Sequence, residues 1–243
     1  MRKASFGLIL LLLLISCSQQ QVEQSNEENA QSEKQPSLTI EDTDEVIENE
    51  ELYIEISQNN EKVKLNLTNI PILNNYLKAS PDTQKAINSI SVSPIEATEL
   101  ISLYLLEFSC SNSRCSYILL DQSDESRSYL LADLAELDTI SASPSQDKLM
   151  FVFKRMKQTK VETAIFNKLV IMDIVNWKTL PFTSTLPNSL TKYTSPILTT
   201  YWKDDQSILV TVPDVIEPNV DSIVSWELSS DMNTITTELS IKE

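Results

Sequence analysis

Histidine is absent from this chain of 243 residues, and Gly7 is its only glycine. The P-loop and the dinucleotide-binding fingerprint need glycines where the backbone approaches phosphate, so both are excluded. The same absences exclude the glycine-flanked serine of α/β-hydrolases, the Ser-His-Asp triad and histidine-based zinc sites. The sequence therefore predicts no catalytic residue, no cofactor and no metal site, and it favours a protein that is not an enzyme.

Basic residues are also scarce. The chain has 19 of them against 35 acidic residues, which gives a net charge of −16. An acidic surface repels phosphate backbones, so nucleic acid is not an expected partner. Residues 18–50 carry ten of the acids against Lys34 alone and hold few aliphatic side chains. Such a composition does not bury enough surface to fold, so residues 17–50 are predicted to form a disordered tether.

The first residues form a different pattern. Arg2 and Lys3 precede an apolar run over 8–15, which is too short to cross a membrane, since crossing takes about 20 residues. The run ends in Leu-Ile-Ser-Cys at 14–17, which resembles the lipobox of bacterial lipoproteins. The resemblance implies a signal peptide over 1–16 and fatty acylation, such as palmitate, on Cys17. It places the mature protein on a bacterial membrane through its lipid anchor, facing away from the cytoplasm on the periplasmic or cell-surface side.

The two remaining cysteines are Cys110 and Cys115. Export would bring them into an oxidising compartment, so a disulfide between them is expected. A redox pair is the alternative, although the spacing is not Cys-x-x-Cys.

The pattern from residue 51 onward predicts a folded domain over 51–243. Apolar residues alternate over 52–56 and 63–67 around an Asn-Asn turn, which predicts a hairpin. Residues 72–88 form the one helical stretch, with Ser80 as the expected N-cap and Pro81 as the first helical residue.

Beyond residue 88 the sequence repeats with a period of about 50 residues. Residues 89–94 (SISVSP) match 139–144 (TISASP), and 117–121 (YILLD) match 169–173 (LVIMD). A weaker third copy begins near Ile197, with its third strand placed at 225–228. The fourth strands of the copies are expected near 127–134, 177–183 and 233–241, and the hairpin at 52–67 supplies half a copy.

Four short antiparallel strands in tandem are typical of β-propeller blades. The segment 143–152 (SPSQDKLMFV) resembles the Ser-Pro-Asp-Gly-Lys hairpin of TolB-type and WD40-like propeller repeats, with Gln146 and Asp147 replacing Asp-Gly. The resemblance implies an all-β fold of about three and a half propeller-like repeats. These would form a small closed ring, an open stack of sheets, or part of a ring completed by a partner, and a β-sandwich is the rival fold.

Three other groups of residues suggest chemistry. The segments 145–148 and 189–192 both satisfy Ser-x-x-Lys, but the Lys-Thr-Gly strand that accompanies this motif is impossible without glycine. Paired carboxylates in the turn after 121 would suit glycoside hydrolysis. A basic cluster after Phe153 would suit an anionic partner, or it is a solvated hairpin tip. The carboxylates are Asp121, Asp124 and Glu125, and the basic residues are Lys154, Arg155, Lys157 and Lys160.

Large aromatic residues recur at similar positions in successive copies. They either pack between neighbouring sheets or line a binding face, since tryptophan and tyrosine are enriched at binding hot spots. These candidates are Trp177, Tyr201, Trp202 and Trp226.

The sequence favours a lipid-anchored, non-catalytic module that binds a protein or an envelope component. An envelope glycan hydrolase with paired carboxylates is the alternative function. A structural role in completing a larger ring with another chain is a third possibility.

Overall fold

The computed structural model describes residues 53–58, 61–96, 98, 102–122, 127–186 and 189–242. The predicted signal peptide (1–16), the lipidated Cys17 and the predicted tether (17–50) lie outside the described residues. Within them the chain forms thirteen strands, arranged in antiparallel sheets, and three α-helices. This confirms the all-β class.

The predicted N-terminal hairpin is present. Strand β1 (Tyr53–Gln58) pairs with β2 (Glu61–Asn66), and the pair forms a two-stranded sheet. Ile54 lies opposite Leu65 and Ile56 lies opposite Val63, so the alternating apolar residues share one face.

The helical stretch predicted over 72–88 is present and consists of two helices, whereas the capping predicted for it is wrong. Helix α1 (Pro71–Ala79) begins with its proline at the first position, and α2 (Thr83–Asn88) follows. Ser80 ends α1 and does not cap α2. Asp82 is the N-cap, and its carboxylate accepts the backbone N–H of Lys85 at 2.9 Å.

A seven-stranded antiparallel sheet follows, in which strand order equals chain order. Its strands are β3 (Ser91–Pro94), β4 (Leu103–Ser111), β5 (Arg114–Asp121), β6 (Ser128–Ala142), β7 (Lys148–Gln158), β8 (Thr163–Asp173) and β9 (Lys178–Thr179).

Strand β6 joins the first two copies of the repeated sequence, and we call these sequence copies repeats. Its first half pairs with β5 up to Ala135, and its second half pairs with β7 from Glu136 onward. The change of partner occurs beside Leu134, whose φ of 43° interrupts the extended backbone. The last strand of the first repeat and the first strand of the second are therefore one continuous, bent strand.

The third repeat forms a separate four-stranded sheet. Its strands are β10 (Phe182–Thr183), β11 (Thr199–Asp204), β12 (Ser207–Pro213) and β13 (Thr234–Ile241), in the order β10-β13-β12-β11. The strand predicted at 225–228 is wrong, because helix α3 (Val220–Glu227) occupies this segment. Asn219 caps α3 in a reciprocal box with Ser222, and Ile223 is buried against Phe166.

Strand β10 supplies the strand that the third repeat lacks. The segment predicted as one strand at 177–183 divides at Leu180 and Pro181. Leu180 still donates to the carbonyl of Ile171 in the seven-stranded sheet, at 2.9 Å. Pro181 has no N–H to continue that pairing, and its carbonyl instead accepts from Lys242, next to β13, at 2.8 Å. The chain therefore passes from one sheet to the next at this proline.

Three apolar cores separate four layers. The hairpin and helices α1 and α2 share a core with one face of β3–β5, and the other face of β4 and β5 shares a core with β7 and β8. The far side of β7 and β8 packs on the third sheet. Neighbouring residues thus enter different cores: Phe151 faces one, while Met150 and Val152 face the other.

The outer faces of the first and last layers are polar. Lys64 lies 3.9 Å from the ring centre of Tyr53 on the hairpin, and Lys203 pairs with Glu238 at 2.7 Å on the third sheet. Within the described ranges no sheet closes on itself.

Candidate functional site

The turn between β6 and β7 carries the Ser-x-x-Lys segment at 145–148. Gln146 adopts a φ of 61° here, a left-handed conformation that glycine adopts most readily. The carboxylate of Asp147 organises the turn by accepting the hydroxyls of Ser143 and Ser145 and the ammonium of Lys148. Although burial acts to raise it, these hydrogen bonds from Ser145, Lys148 and Ser143 hold the pKa of Asp147 below its usual value.

This turn is hydrogen-bonded to the equivalent turns of both neighbouring repeats. Thr98 donates its hydroxyl to the carbonyl of Gln146 at 3.2 Å. On the other side, the backbone N–H of Ser145 donates to Oδ1 of Asp205 at 2.7 Å. The turns of three successive repeats therefore adjoin one another and form one surface, which we call the turn surface.

The turn surface is acidic where it reaches the third sheet. Asp204 and Asp205 line a shallow groove of about 510 Å³ together with Gln206 and Glu238. The backbone N–H groups of Gln206 and Ser207 and the Ser207 hydroxyl help to lower the pKa of Asp204, with the Gln206 bond as the largest cause. Glu238 is already paired with Lys203. The groove is thus a polar surface on which Asp204 and Glu238 already have hydrogen-bond or ion-pair partners within the protein.

A nucleophilic serine of the Ser-x-x-Lys type needs its hydroxyl beside the lysine, and the described contacts of Ser145 do not place it there. Its hydroxyl is directed to Asp147, to which Lys148 is also bound. In the second segment, Ser189 exchanges a hydrogen bond with the Thr191 hydroxyl at 2.8 Å in an exposed loop. Both serines therefore serve to fix turns.

Of the three carboxylates proposed for glycan hydrolysis, the structure describes Asp121. Its side chain is fully buried and accepts two hydrogen bonds from Arg127, at 3.1 and 2.7 Å. The guanidinium lies 4.8 Å from the ring centre of Trp177. Asp124 and Glu125 lie outside the described residues. Asp121 is thus held in an ion pair with the partly exposed Arg127 at the end of β5.

The four aromatic candidates do not share one face. Trp177 packs on the core between β5 and β7, and Trp202 packs on the next core and donates to the carbonyl of Ser141 at 3.4 Å. Tyr201 precedes Trp202 on β11, so it points to the opposite, outer face, where it is 52% exposed. Trp226 lies on α3 and donates to the carbonyl of Asn233 at 2.7 Å. Of these residues, Tyr201 is the one with a largely exposed ring.

The predicted disulfide is present at the tip of the β4–β5 hairpin. The Cys110 and Cys115 sulfurs are bonded at 2.07 Å, and a Glu107 carboxylate oxygen lies within 4.8 Å of them. Burial raises the pKa of Glu107. Because the sulfurs are bonded to each other, they are not thiolate ligands for a metal ion.

Three cations of the basic cluster near the β7–β8 hairpin are engaged within the molecule. Lys154 pairs with Glu136 at 3.0 Å and Asp138 at 3.3 Å, and the Glu136 bond is the main cause of its raised pKa. Arg155 stacks on the ring of Tyr193, and Lys157 lies 4.2 Å from the ring centre of Phe166. Arg155 and Lys157 thus cover aromatic surface of their own fold.

An apolar groove of about 300 Å³ lies between β6 and β8, and the sequence gives no indication of it. Its walls come from 129–131, 168–171 and 179–182, with Thr191 at one side. These segments are far apart in the sequence, and no motif links them. The bend in β6 and the crossing at Pro181, which bring them together, have no signal in the alternating pattern.

Comparisons with protein-family models, with curated proteins and with solved structures gave no match. No helix in the described part of the chain is long and apolar enough to cross a membrane.

Proposed function

We propose that this chain is a lipoprotein, anchored through Cys17 on the outer side of a bacterial membrane, whose all-β body binds a protein or an envelope component without catalysis. The anchor is supported by the basic start, the short apolar run and the Leu-Ile-Ser-Cys sequence at 14–17. Two acyl chains at one site give stable attachment where a single chain is marginal.

We also propose that the layers are repeats of the propeller type. The matched segments 117–121 and 169–173 fall on β5 and β8, the third strands of successive repeats. Each segment ends in a buried aspartate, Asp121 or Asp173, held by a residue of the following turn: Arg127 for the first and Asn176 for the second. Stacking of consecutive sheets through apolar cores is the packing that propeller blades use.

The binding role rests on the turn surface. Hydrogen bonds from Thr98 to Gln146 and from Ser145 to Asp205 fix three turns against one another. A surface whose loops are already ordered loses less conformational entropy when a partner binds, so its contacts contribute more fully to affinity. This arrangement suits presentation of a rigid polar surface to a partner.

The anchor is tested by membrane fractionation of cells that carry the full chain or its Cys17→Ser variant. The unaltered protein should partition with the membrane, and the variant should appear in the soluble fraction. Membrane retention of the variant equal to that of the unaltered protein would contradict the anchor.

The binding surface is tested by crosslinking the full chain in cells and comparing two glutamine variants. Gln206→Arg changes the turn surface, whereas Gln158→Arg changes an equally exposed glutamine at the far end of β7. We expect Gln206→Arg to reduce the yield of the main crosslinked species by about tenfold, and Gln158→Arg to leave it unchanged. Equal yields from both variants, or the absence of any crosslinked species, would reject the turn surface as the binding site.

A further inference from the structure

The apolar groove between β6 and β8 contains one charged side chain, Lys168. Its other walls are mostly aliphatic and aromatic, including Leu130, Val170, Leu180 and Phe182. The volume of about 300 Å³ is at the lower end of the range typical of small-molecule sites, roughly 300–1,000 Å³. A ligand of matching character would be a small molecule with a long apolar part.

The ammonium of Lys168 makes one hydrogen bond to the protein among the described residues. It donates to the carbonyl of Leu131 at 2.9 Å, and an ammonium has three N–H donors. Among the described residues, no carboxylate forms an ion pair with it. Burial, and then the nearby positive charge of Arg155, lower the pKa of Lys168. A half-buried cation beside a second cation, without a counter-ion, is an unfavourable arrangement that an anion would relieve.

We propose that this groove binds an aliphatic carboxylate, such as a free medium-chain fatty acid, with its carboxylate on the Lys168 ammonium and its chain along the apolar walls. The carboxylate would accept the N–H groups that Leu131 leaves available, in charge-assisted hydrogen bonds. The chain would cover Leu130, Leu180 and Phe182, which removes apolar surface from water. This inference does not depend on the lipid anchor or on the turn surface.

The chain as a whole opposes such a ligand electrostatically, since its net charge is −16. Recognition must therefore come from the groove itself. Beyond a Debye length of about 8 Å at physiological ionic strength, the exposed acids are largely screened, while the half-buried Lys168 is screened less. At a fixed chain length, the charge of the headgroup should for this reason change the affinity.

A headgroup series on the unaltered full chain tests the proposal directly. Decanoate, decanol and decyltrimethylammonium have the same chain and differ in charge, and their binding is measured by titration calorimetry below the concentrations at which they aggregate. We expect decanoate to bind at least about tenfold more tightly than decanol, and the cation not to bind. Equal affinity for decanoate and decanol, or no binding of decanoate, would overturn the proposal.

A lysine pair provides the matched control. Lys168→Met keeps an unbranched side chain that is one atom shorter and removes the charge, whereas Lys178→Met changes an exposed lysine on β9 outside the groove. Lys168→Met should weaken decanoate binding by about ten- to a hundredfold and leave decanol binding unchanged. Lys178→Met should alter neither. Undiminished decanoate binding by Lys168→Met would reject the site, and the headgroup series decides the matter even where this variant does not fold.

Discussion

The backbone N–H of Ser145 donates to Oδ1 of Asp205 across 2.7 Å, and this bond joins the turn of the second repeat to the turn of the third. Sixty residues separate the two partners in the sequence. The bond therefore depends on how the two sheets pack together and does not contribute to the formation of either turn.

We expect Asp205→Ala to lower the free energy of unfolding by about 1 kcal/mol, because the substitution removes a charged acceptor from a partly exposed backbone donor. Urea denaturation measures the loss. Asp214→Ala is the control, since Asp214 is exposed and its structural hydrogen bond is made by its backbone N–H. Equal stability of the two variants would show that the link between the turns contributes nothing.

Phe153→Ala should cost about 3–5 kcal/mol of stability. The side chain is fully buried in the core between β5 and β7, with ring centres 5.2 Å from Tyr117 and 6.2 Å from Phe151. Met156→Ala, on the same strand but 62% exposed, should change stability by less than about 0.5 kcal/mol. Thermal or chemical unfolding measures the stability of the two variants. A small effect of Phe153→Ala would show that the two halves of the large sheet do not share this core.

Arg127→Met should destabilise the fold by about 3–5 kcal/mol, because it removes the cation that donates two hydrogen bonds to the fully buried carboxylate of Asp121. Lys203→Met breaks the exposed pair with Glu238 and should cost at most about 1 kcal/mol. The double variant Arg127→Met, Asp121→Asn should recover part of the loss, since no uncompensated charge remains buried. A double variant as unstable as Arg127→Met alone would contradict the ion-pair role.

The turn at Asp147 predicts a pH dependence. Its pKa is lower in the folded protein than in the unfolded chain, so its contribution to stability is present at neutral pH and is lost as the pH falls below about 4. We expect Asp147→Asn to be less stable than the unaltered protein at pH 7, and the difference to shrink as the pH falls through that range. Denaturation curves at several pH values measure it, and a difference that does not vary with pH would exclude the ionised carboxylate as its source.

Much of this fold is predictable from periodicity. The hairpin and the repeated segments on β5 and β8 follow from local alternation and spacing, because each is decided by neighbours in sequence. The disulfide follows instead from the two cysteines that remain besides Cys17. The strand predicted at 225–228 fails for a different reason: Asn219 and Ser222 form a capping box, and the helix buries Ile223 against Phe166. The capping box and the tertiary packing stabilise that helix, and an alternating pattern of apolar residues contains information about neither.

The candidate functional residues are less predictable still. Trp177 and Trp202 are partly buried and pack against the cores, and the Lys168 groove lies where the chain bends at Leu134 and crosses at Pro181. A non-glycine residue at positive φ has no reliable sequence signature. The path of the chain after a proline depends on which sheet edge is available for pairing, and this is decided by the tertiary structure.

Strand β10 has a consequence for the independence of the repeats. Phe182 and Thr183 pair with Ile241 and Ser240, although they lie on the segment that leaves the second repeat. Dividing the chain between the second and third repeats would remove one of the two neighbours of β13 and leave the backbone groups on that edge open to foreign strands. The repeats are therefore not independent folding units. The described domain should unfold as a unit, and variants in which repeats are reordered or removed should aggregate.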